Sequence, residues 1–470
     1  MWQTMISSPR IVSRLVYRAQ ETAVGRPTFA LLESLERSQW LSGTEIQQLQ
    51  EKQATRLLHS ALRHSPWHAG RIRVAGLEKS VAAGHLTLEE LRRLPTMTKR
   101  DARENVDQIV WRGAPGGVYR YNTGGSSGEP LIFYFGRTRQ ASDAAGRMRA
   151  RRWWGVEPGA REVYLWGAPV ELAKTDRVKT IRDRLLNQLV LNAFAMSAAN
   201  MDKYVHAINA FRPECIYGYA SSVALLAAHA RGKALRLRLP ELRVVCTTGE
   251  PLYPDQRALI GEVFGAPVAN EYGSRDIGFT AHETPAGQML LMNESILLEV
   301  LDANGRPVPQ GMVGEAVVTG FHSEAQPFIR YRTGDMVRVS GAQCRAGRGL
   351  QVIDDVVGRK TDFVVRADGT VMHALAVIYV LRAVDGIAEF RLIQHSVRDV
   401  EVLVVPDVHW SESGRERVID GLRKRLGDDT RVDIRLVDAI APEASGKHRY
   451  VVSHVRLPGT DSVTRDAVAF

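Results

Sequence analysis

The sequence predicts an α/β chain, with a large N-terminal α/β domain that carries a β-rich subdomain and a small α+β C-terminal domain. Three observations predict it. From about 115 to 320, short apolar strands alternate with helical segments, the signature of α/β architecture. Within 293–340, Ile296 to Leu301 and Gly314 to Thr319 read as strands joined through Asn304-Gly305, a hairpin signal that marks a β-rich stretch. Beyond Gly358 the pattern runs β-α-β-β-α-β, the order of a small α+β unit. The expected division is therefore 1–358 and 359–470, with a helical segment at 28–65 and the β-rich subdomain at 293–357.

Each element has a local justification. In 28–65, Leu31, Leu32, Leu35, Leu41, Leu49, Leu57, Leu58 and Leu62 recur at three- and four-residue steps among polar residues. Ser42-Gly43-Thr44-Glu45 reads as a turn and a capped helix start. Leu131 to Phe135 is a continuous apolar run, expected as a buried strand. Arg161 to Trp166 and Leu242 to Thr247 are strand-like; Asn200 to Phe211 and Ser221 to Arg231 are helical in pattern. After the boundary come a strand at Phe363-Val364-Val365, a turn at Ala367 to Thr370 and a helix near 374–384. Strands at 390–394 and 400–405, a helix at 411–426 and a strand at 432–437 follow.

Composition narrows the function classes. A chain of 470 residues exceeds one simple core. It has no run of about 18 apolar residues, so no membrane span is expected. The N-terminal stretch mixes Arg10, Arg14 and Arg18 with apolar residues and lacks a secretory core. Cys215, Cys246 and Cys344 are far apart in sequence, which argues against a disulfide scaffold and for a reducing cytoplasm. The formal charge is +10. Its basic residues are dispersed, so clusters such as Arg147 to Arg152 and Arg236-Leu237-Arg238 read as solvated surface, and no nucleic-acid partner is expected.

Tyr121-Asn122-Thr123-Gly124-Gly125-Ser126-Ser127-Gly128-Glu129-Pro130 has the composition of an oxyanion-wrapping loop. Glycines let N–H groups turn inward, and the hydroxyls of Thr123, Ser126 and Ser127 add donors. Alone it reads equally as a linker. Five segments follow in order: Cys246-Thr247-Thr248-Gly249-Glu250-Pro251-Leu252, Asn270-Glu271-Tyr272-Gly273-Ser274-Arg275-Asp276, Tyr331-Arg332-Thr333-Gly334-Asp335, Gly358-Arg359-Lys360-Thr361-Asp362 and Ala444-Ser445-Gly446-Lys447. Together the six resemble the adenylate-forming superfamily of acyl-CoA ligases, and within it the branch of phenylacetate–CoA ligase and the CapK-type capsule-synthesis proteins. The resemblance runs from about 30 to about 455.

That resemblance implies ATP-dependent activation of a small aromatic or apolar carboxylic acid as acyl-AMP, then transfer to CoA. Thr123 to Gly128 would hold the β- and γ-phosphates. Gly249, Glu250, Pro251, Tyr272 and Gly273 would form the adenine slot, with the Tyr272 ring against the base, and Asn270, Glu271 and Ser274 would also bind ATP or AMP. Asp335 would accept from the ribose hydroxyls, Arg359 would reach the ribose or phosphate, and Asp276 would hold magnesium. Lys447 would bridge the carboxylate and the α-phosphate as charge develops. The C-terminal domain would swing about a hinge at Thr361. Trp166, Tyr217, Gly218, Tyr219, Ala220 and Phe194 would line the acyl pocket, with Tyr217 to Tyr219 ending a strand and beginning a helix.

The sequence also departs from the family pattern. Thr361 stands where relatives carry Asp or Lys, Asp276 where they carry Glu, and no lysine follows Pro130. Only Cys344 remains of a cysteine-rich zinc site, so no zinc is expected. The acceptor stays open between CoA and an amine, an amino sugar or a carrier-protein thiol, and the acid extends to unusual ones such as nitrite. A non-catalytic binding protein on the same fold is the reading from another class; Lys447, Asp335 and Arg359 oppose it. The oligomeric state, homodimer included, is not legible.

Overall fold

The computed structural model describes residues 8–122, 131–166, 183–193, 195–249, 252, 254–302, 304–357, 363–440 and 450–455. The chain opens with three helices, α1 (Ser8–Ala23), α2 (Thr28–Ser38) and α3 (Gly43–His64). The α3 start is the anticipated capping box: Ser42 Oγ accepts from the Glu45 N–H at 3.3 Å, and Glu45 accepts from the Ser42 N–H at 2.8 Å. One stripe of α3, including Ala54, Leu57, Leu58 and Ala61, is buried in a satellite core with Leu297, Phe321 and Ile329.

Strands β1 (Tyr119–Asn122) and β2 (Ile132–Phe135) pair as an antiparallel ribbon, with Tyr121 opposite Phe133. The apolar run of β2 is not wholly buried as expected. Leu131 and Phe133 are fully buried, while Ile132 is 38 % exposed, because a ribbon with one face on the core must alternate its side chains. The next helix, α4 (Arg137–Trp153), leads to β3 (Glu162–Trp166) and β4 (Gln188–Asn192). Then α5 (Ala198–Phe211), β5 (Cys215–Tyr219), α6 (Ala220–Gly232), β6 (Val244–Thr248), α7 (Pro254–Phe264) and β7 (Val268–Ser274) alternate as the sequence predicts.

Strands β4, β3, β5, β6 and β7 run parallel, side by side in that order. Their crossover helices satisfy the need of parallel strands for long connections. The sheet then turns antiparallel through β8 (Gly278–Glu283), β9 (Met289–Leu291), β10 (Ile296–Leu301), β11 (Val313–Gly320), β12 (Tyr331–Val339) and β13 (Val352–Val357). The full order is β10-β11-β12-β13-β9-β8-β7-β6-β5-β3-β4. The stretch expected as a β-rich subdomain makes no sheet of its own. β13 pairs with β9, so the antiparallel strands extend the parallel ones.

The C-terminal elements fall close to the sequence reading: β14 (Phe363–Val365), β15 (Val371–His373), α8 (Leu375–Arg382), β16 (Ile387–Ser396), β17 (Asp399–Pro406), α9 (Glu412–Leu426), β18 (Arg431–Leu436) and β19 (Val451–Ser453). β14 and β15 form a separate ribbon. The four-stranded sheet is β18-β17-β16-β19, with β19 parallel to β16.

The arginine cluster 147–152 is a clear correction. Arg149 is 0 % and Arg151 7 % exposed, so half of this run is core, not solvated surface. Helix α4 lies against the sheet, and each buried guanidinium meets a distant glutamate: Arg149 pairs with Glu294 and Arg151 with Glu162. A buried cation is tolerable only when paired in this way. Gly146 permits the approach, since a Cβ there would lie 2.8 Å from the Phe279 ring.

Candidate active site

The parallel strands β3, β5, β6 and β7 present rows of side chains to α4, and register sets each row. Tyr164, Tyr217, Cys246 and Ala269 lie abreast; one step toward the carboxyl ends, Tyr219, Thr248 and Glu271 lie abreast, next to Trp166. The carboxyl ends of parallel strands are where α/β sheets bind ligands. The Trp166 ring stacks on Tyr219 at 4.4 Å and 15°, and on Tyr217 at 5.6 Å and 25°. Trp166, Tyr217 and Tyr219 therefore form one aromatic wall. Tyr219 ends β5 and Ala220 starts α6, as anticipated.

Gly218 differs from its neighbours. A Cβ there would meet the Leu165 carbonyl oxygen at 2.8 Å and Val223 at 3.0 Å, so this glycine serves strand and helix packing on the face opposite the wall. Gly249 has φ +77°, and a Cβ there would also meet the Tyr219 ring at 3.2 Å.

Behind the wall is a polar layer. The Tyr217 hydroxyl donates to Glu271 Oε1 at 2.7 Å, and Thr248 donates to the same oxygen at 3.2 Å. Arg147 Nε is 3.9 Å from that oxygen. One row back, Arg151 donates to Glu162 at 2.5 Å and to the Tyr164 hydroxyl at 3.0 Å. Burial and the adjacent Glu271 carboxylate push the Tyr217 hydroxyl well above the ordinary tyrosine range, so it stays a donor.

The end of β7 meets β12 through two tyrosine–aspartate pairs. The Tyr272 hydroxyl donates to Asp335 Oδ2 at 3.1 Å, and the Tyr331 hydroxyl donates to Asp276 Oδ2 at 2.9 Å. The pairs are reciprocal, since each strand end supplies one tyrosine and the segment around each supplies one aspartate. Ser274 donates to the other Asp276 oxygen, and the Asp335 N–H donates to Thr333 Oγ1 at 3.0 Å. Tyr272 is 7 % exposed. Burial and Asp335 raise its hydroxyl well above the usual range, which fixes it as the donor. At Gly273, a bulge in the β7–β8 pairing brings the Gly278 carbonyl oxygen within 2.4 Å of a Cβ position, so no side chain fits. Asn270 donates its backbone N–H to Glu283 at 2.9 Å.

The structure thus gathers Trp166, Tyr217, Tyr219, Ala220, Gly249, Glu271, Tyr272, Gly273, Ser274, Asp276 and Asp335 around the ends of β5 to β7. Thr123, Gly124, Gly125, Ser126, Ser127, Gly128, Phe194, Glu250, Pro251, Arg359, Thr361 and Lys447 lie outside the described residues. Sequence reasoning missed Arg147, Thr248 and Tyr331 as site residues. Thr248 and Tyr331 sit inside quoted segments, so their signal was position. Arg147 had none, because its partner Glu271 is over 120 residues away. Two cysteines far apart in sequence are neighbours in space: Cys215 and Cys246 stand on adjacent strands with sulfurs 4.0 Å apart, both free and buried. Cys344 packs among Ile46, Leu290, Leu350 and Val352.

Residues 364–454 match the CapK C-terminal domain. The chain is 23 % identical to Protein CapK of Staphylococcus aureus over 386 residues, covering 81 % of this chain and 84 % of that one. It is 24 % identical to the phenylacetate-coenzyme A ligase of Thermus thermophilus over 327 residues, 68 % of this chain and 72 % of that one. Among solved structures, the fold matches 2-hydroxyisobutyryl-CoA ligase in its postadenylation state with R3-HIB-AMP, at TM-score 0.58 and 22 % identity, covering 89 % of this chain and 91 % of that one. The same enzyme with 2-HIB-AMP and CoA in the thioesterification state gives TM-score 0.59. By its six ordered segments, its sheet and these likenesses, the chain is similar to CapK and the phenylacetate–CoA ligases and shares the fold of adenylate-forming ligases.

Proposed function

We propose that the protein activates a small aromatic or apolar carboxylic acid with ATP and passes the acyl group to CoA. The observation that carries this reading is the Tyr272–Asp335 contact, which sets a carboxylate at the end of β7, in the same sheet whose β3 and β5 ends carry the aromatic wall of Trp166, Tyr217 and Tyr219. In the first step a carboxylate oxygen of the acid attacks the α-phosphorus, and pyrophosphate leaves. In the second the CoA sulfur attacks the acyl carbonyl, and AMP leaves.

In this reading Asp335 accepts from the ribose hydroxyls, while Asn270, Gly249, Glu250, Pro251 and Gly273 flank the base. Thr123 to Gly128 donate to the β- and γ-phosphates. Lys447 neutralises charge growing on the α-phosphate, and Arg359 reaches the ribose or phosphate. Residues 359–470 swing about Thr361 between the two steps. The residues present suit magnesium bound by one carboxylate: Asp276 offers it, and magnesium takes one or two carboxylates with phosphate oxygens. That ion would spread the triphosphate charge. Among the described residues no helix is long and apolar enough to cross a membrane. Three free thiols fit a reducing compartment, so the cytoplasm is the proposed site of action.

Pyrophosphate exchange into ATP, screened over carboxylic acids, tests the first step. The wild type should exchange with at least one acid, and Lys447→Ala should lose about 100-fold or more. Equal exchange by both proteins would sink the catalytic reading. Adding CoA, then amines and amino sugars, to the accepted acid and ATP separates the acceptors by product.

A further inference from the structure

Glu271 holds its partners unevenly. The Tyr217 hydroxyl, the Thr248 hydroxyl and the Arg147 guanidinium all address Oε1. Oε2 is buried and finds no hydrogen-bond partner among the described residues. The side chain is 4 % exposed. A buried carboxylate oxygen without a donor is costly to keep, and such groups have partners in almost every native site. A group supplied by a ligand would meet that need.

Position says where the ligand's group would come from. Glu271 shares its row with Thr248 and Tyr219, and Tyr217 joins it to the ring stack that ends in Trp166. An aromatic acid lying on that wall would bring its ring edge to Glu271. Charge says what kind of donor it would be. Arg147 already supplies a cation beside Oε1, and Arg151 stands behind it on Glu162. An added ammonium would meet both guanidinium groups, whereas a neutral O–H or N–H would not.

Resting on the adenylation reading above, we infer that the acid is an aromatic acid bearing a neutral ring donor, a hydroxyl or an amino group, which donates to Glu271 Oε2. Glu271 is then a specificity residue. Tyr217 and Thr248 are positioning residues that hold Oε1 and so aim Oε2.

The test compares matched acids: phenylacetate with its 2-, 3- and 4-hydroxy isomers, and benzoate with its hydroxy and amino isomers. Pyrophosphate exchange gives kcat/KM for each acid. Saturation-transfer NMR gives relative binding without turnover. In the wild type one donor-bearing isomer should exceed its parent by about 10- to 100-fold in both assays. Glu271→Gln should collapse that ratio, read between donor-bearing and parent acid within the same variant. Tyr217→Phe should weaken the preference in the same direction, with intact thermal unfolding as the control for folding. Equal treatment of matched acids by the wild type, or a preference that survives Glu271→Gln, overturns the inference. Selective binding without exchange by any acid would leave the inference standing and remove the adenylation reading. Exchange with unsubstituted acids only would do the reverse.

Discussion

The Tyr272 hydroxyl donates to Asp335 across 3.1 Å, although their strands are four positions apart in the sheet. A flat sheet would separate such strands by roughly 19 Å at about 4.8 Å per step. The strands between β7 and β12 must therefore curl, and the reciprocal Tyr331–Asp276 bond at 2.9 Å closes the same seam. Tyr272→Phe keeps the ring and removes the donor. It should raise the KM for ATP about tenfold and lower unfolding stability by about 1–2 kcal/mol, read by exchange kinetics and urea titration. An unchanged KM would show that this contact does not position Asp335.

The buried Arg149–Glu294 pair should dominate the energetics of the α4 contact. Arg149 also donates to the Leu35 carbonyl at 3.1 Å, and Ser38 donates to Glu294 at 2.8 Å. Arg149→Met leaves Glu294 charged and buried, so a loss of about 3–5 kcal/mol is expected in urea unfolding. Arg231→Ala, at an exposed pair with Glu262, should cost under about 1 kcal/mol.

His68 makes stability depend on pH. It is fully buried, its Nε2 donates to the Pro327 carbonyl at 2.9 Å, and its Nδ1 accepts from Arg71 at 2.8 Å. Burial, reinforced by Arg71, pulls its pKa down from 6.5 to about 3. The unfolded chain takes up this proton near pH 6.5 while the folded chain does not. Stability from this group is therefore full above about pH 7 and falls by up to about 1.4 kcal/mol per pH unit toward pH 3. His322, pulled to about 3 by burial, adds to the same slope. Urea midpoints at pH 7 and pH 5 should differ in the wild type and differ less in His68→Gln.

The Cys215–Cys246 contact predicts thiol reactivity. The hydrogen bond from Cys215 and burial push the Cys246 thiol well above its usual value, so it stays protonated and unreactive at neutral and mildly basic pH. Iodoacetamide at pH 8 should leave Cys246 unmodified in native protein and modify all three cysteines in guanidinium, as read by peptide mass spectrometry.

Much of the fold was visible in the residues because its signals are local. The leucine steps of 28–65, the Ser42 cap and the alternation of strands and helices need only nearest neighbours along the chain. The motif segments were visible for the same reason, since each is a few contiguous residues. Burial of Arg149 and Arg151 was not legible, because an arginine run looks the same on a solvated face and on a paired internal one. Its partners Glu162 and Glu294 are fixed by packing of α4 on the sheet.

By itself the sequence determined which segments become strands and helices and which motif residues lie near strand ends, because periodicity, caps and turns act over a few bonds. Only the tertiary structure decided that Tyr272 meets Asp335, that Tyr331 meets Asp276, and that Glu271 directs one oxygen at Tyr217 while the other has no hydrogen-bond partner among the described residues. Those contacts depend on sheet order, curl and register, which arise from burial summed over the whole chain and leave no mark in any short stretch of it.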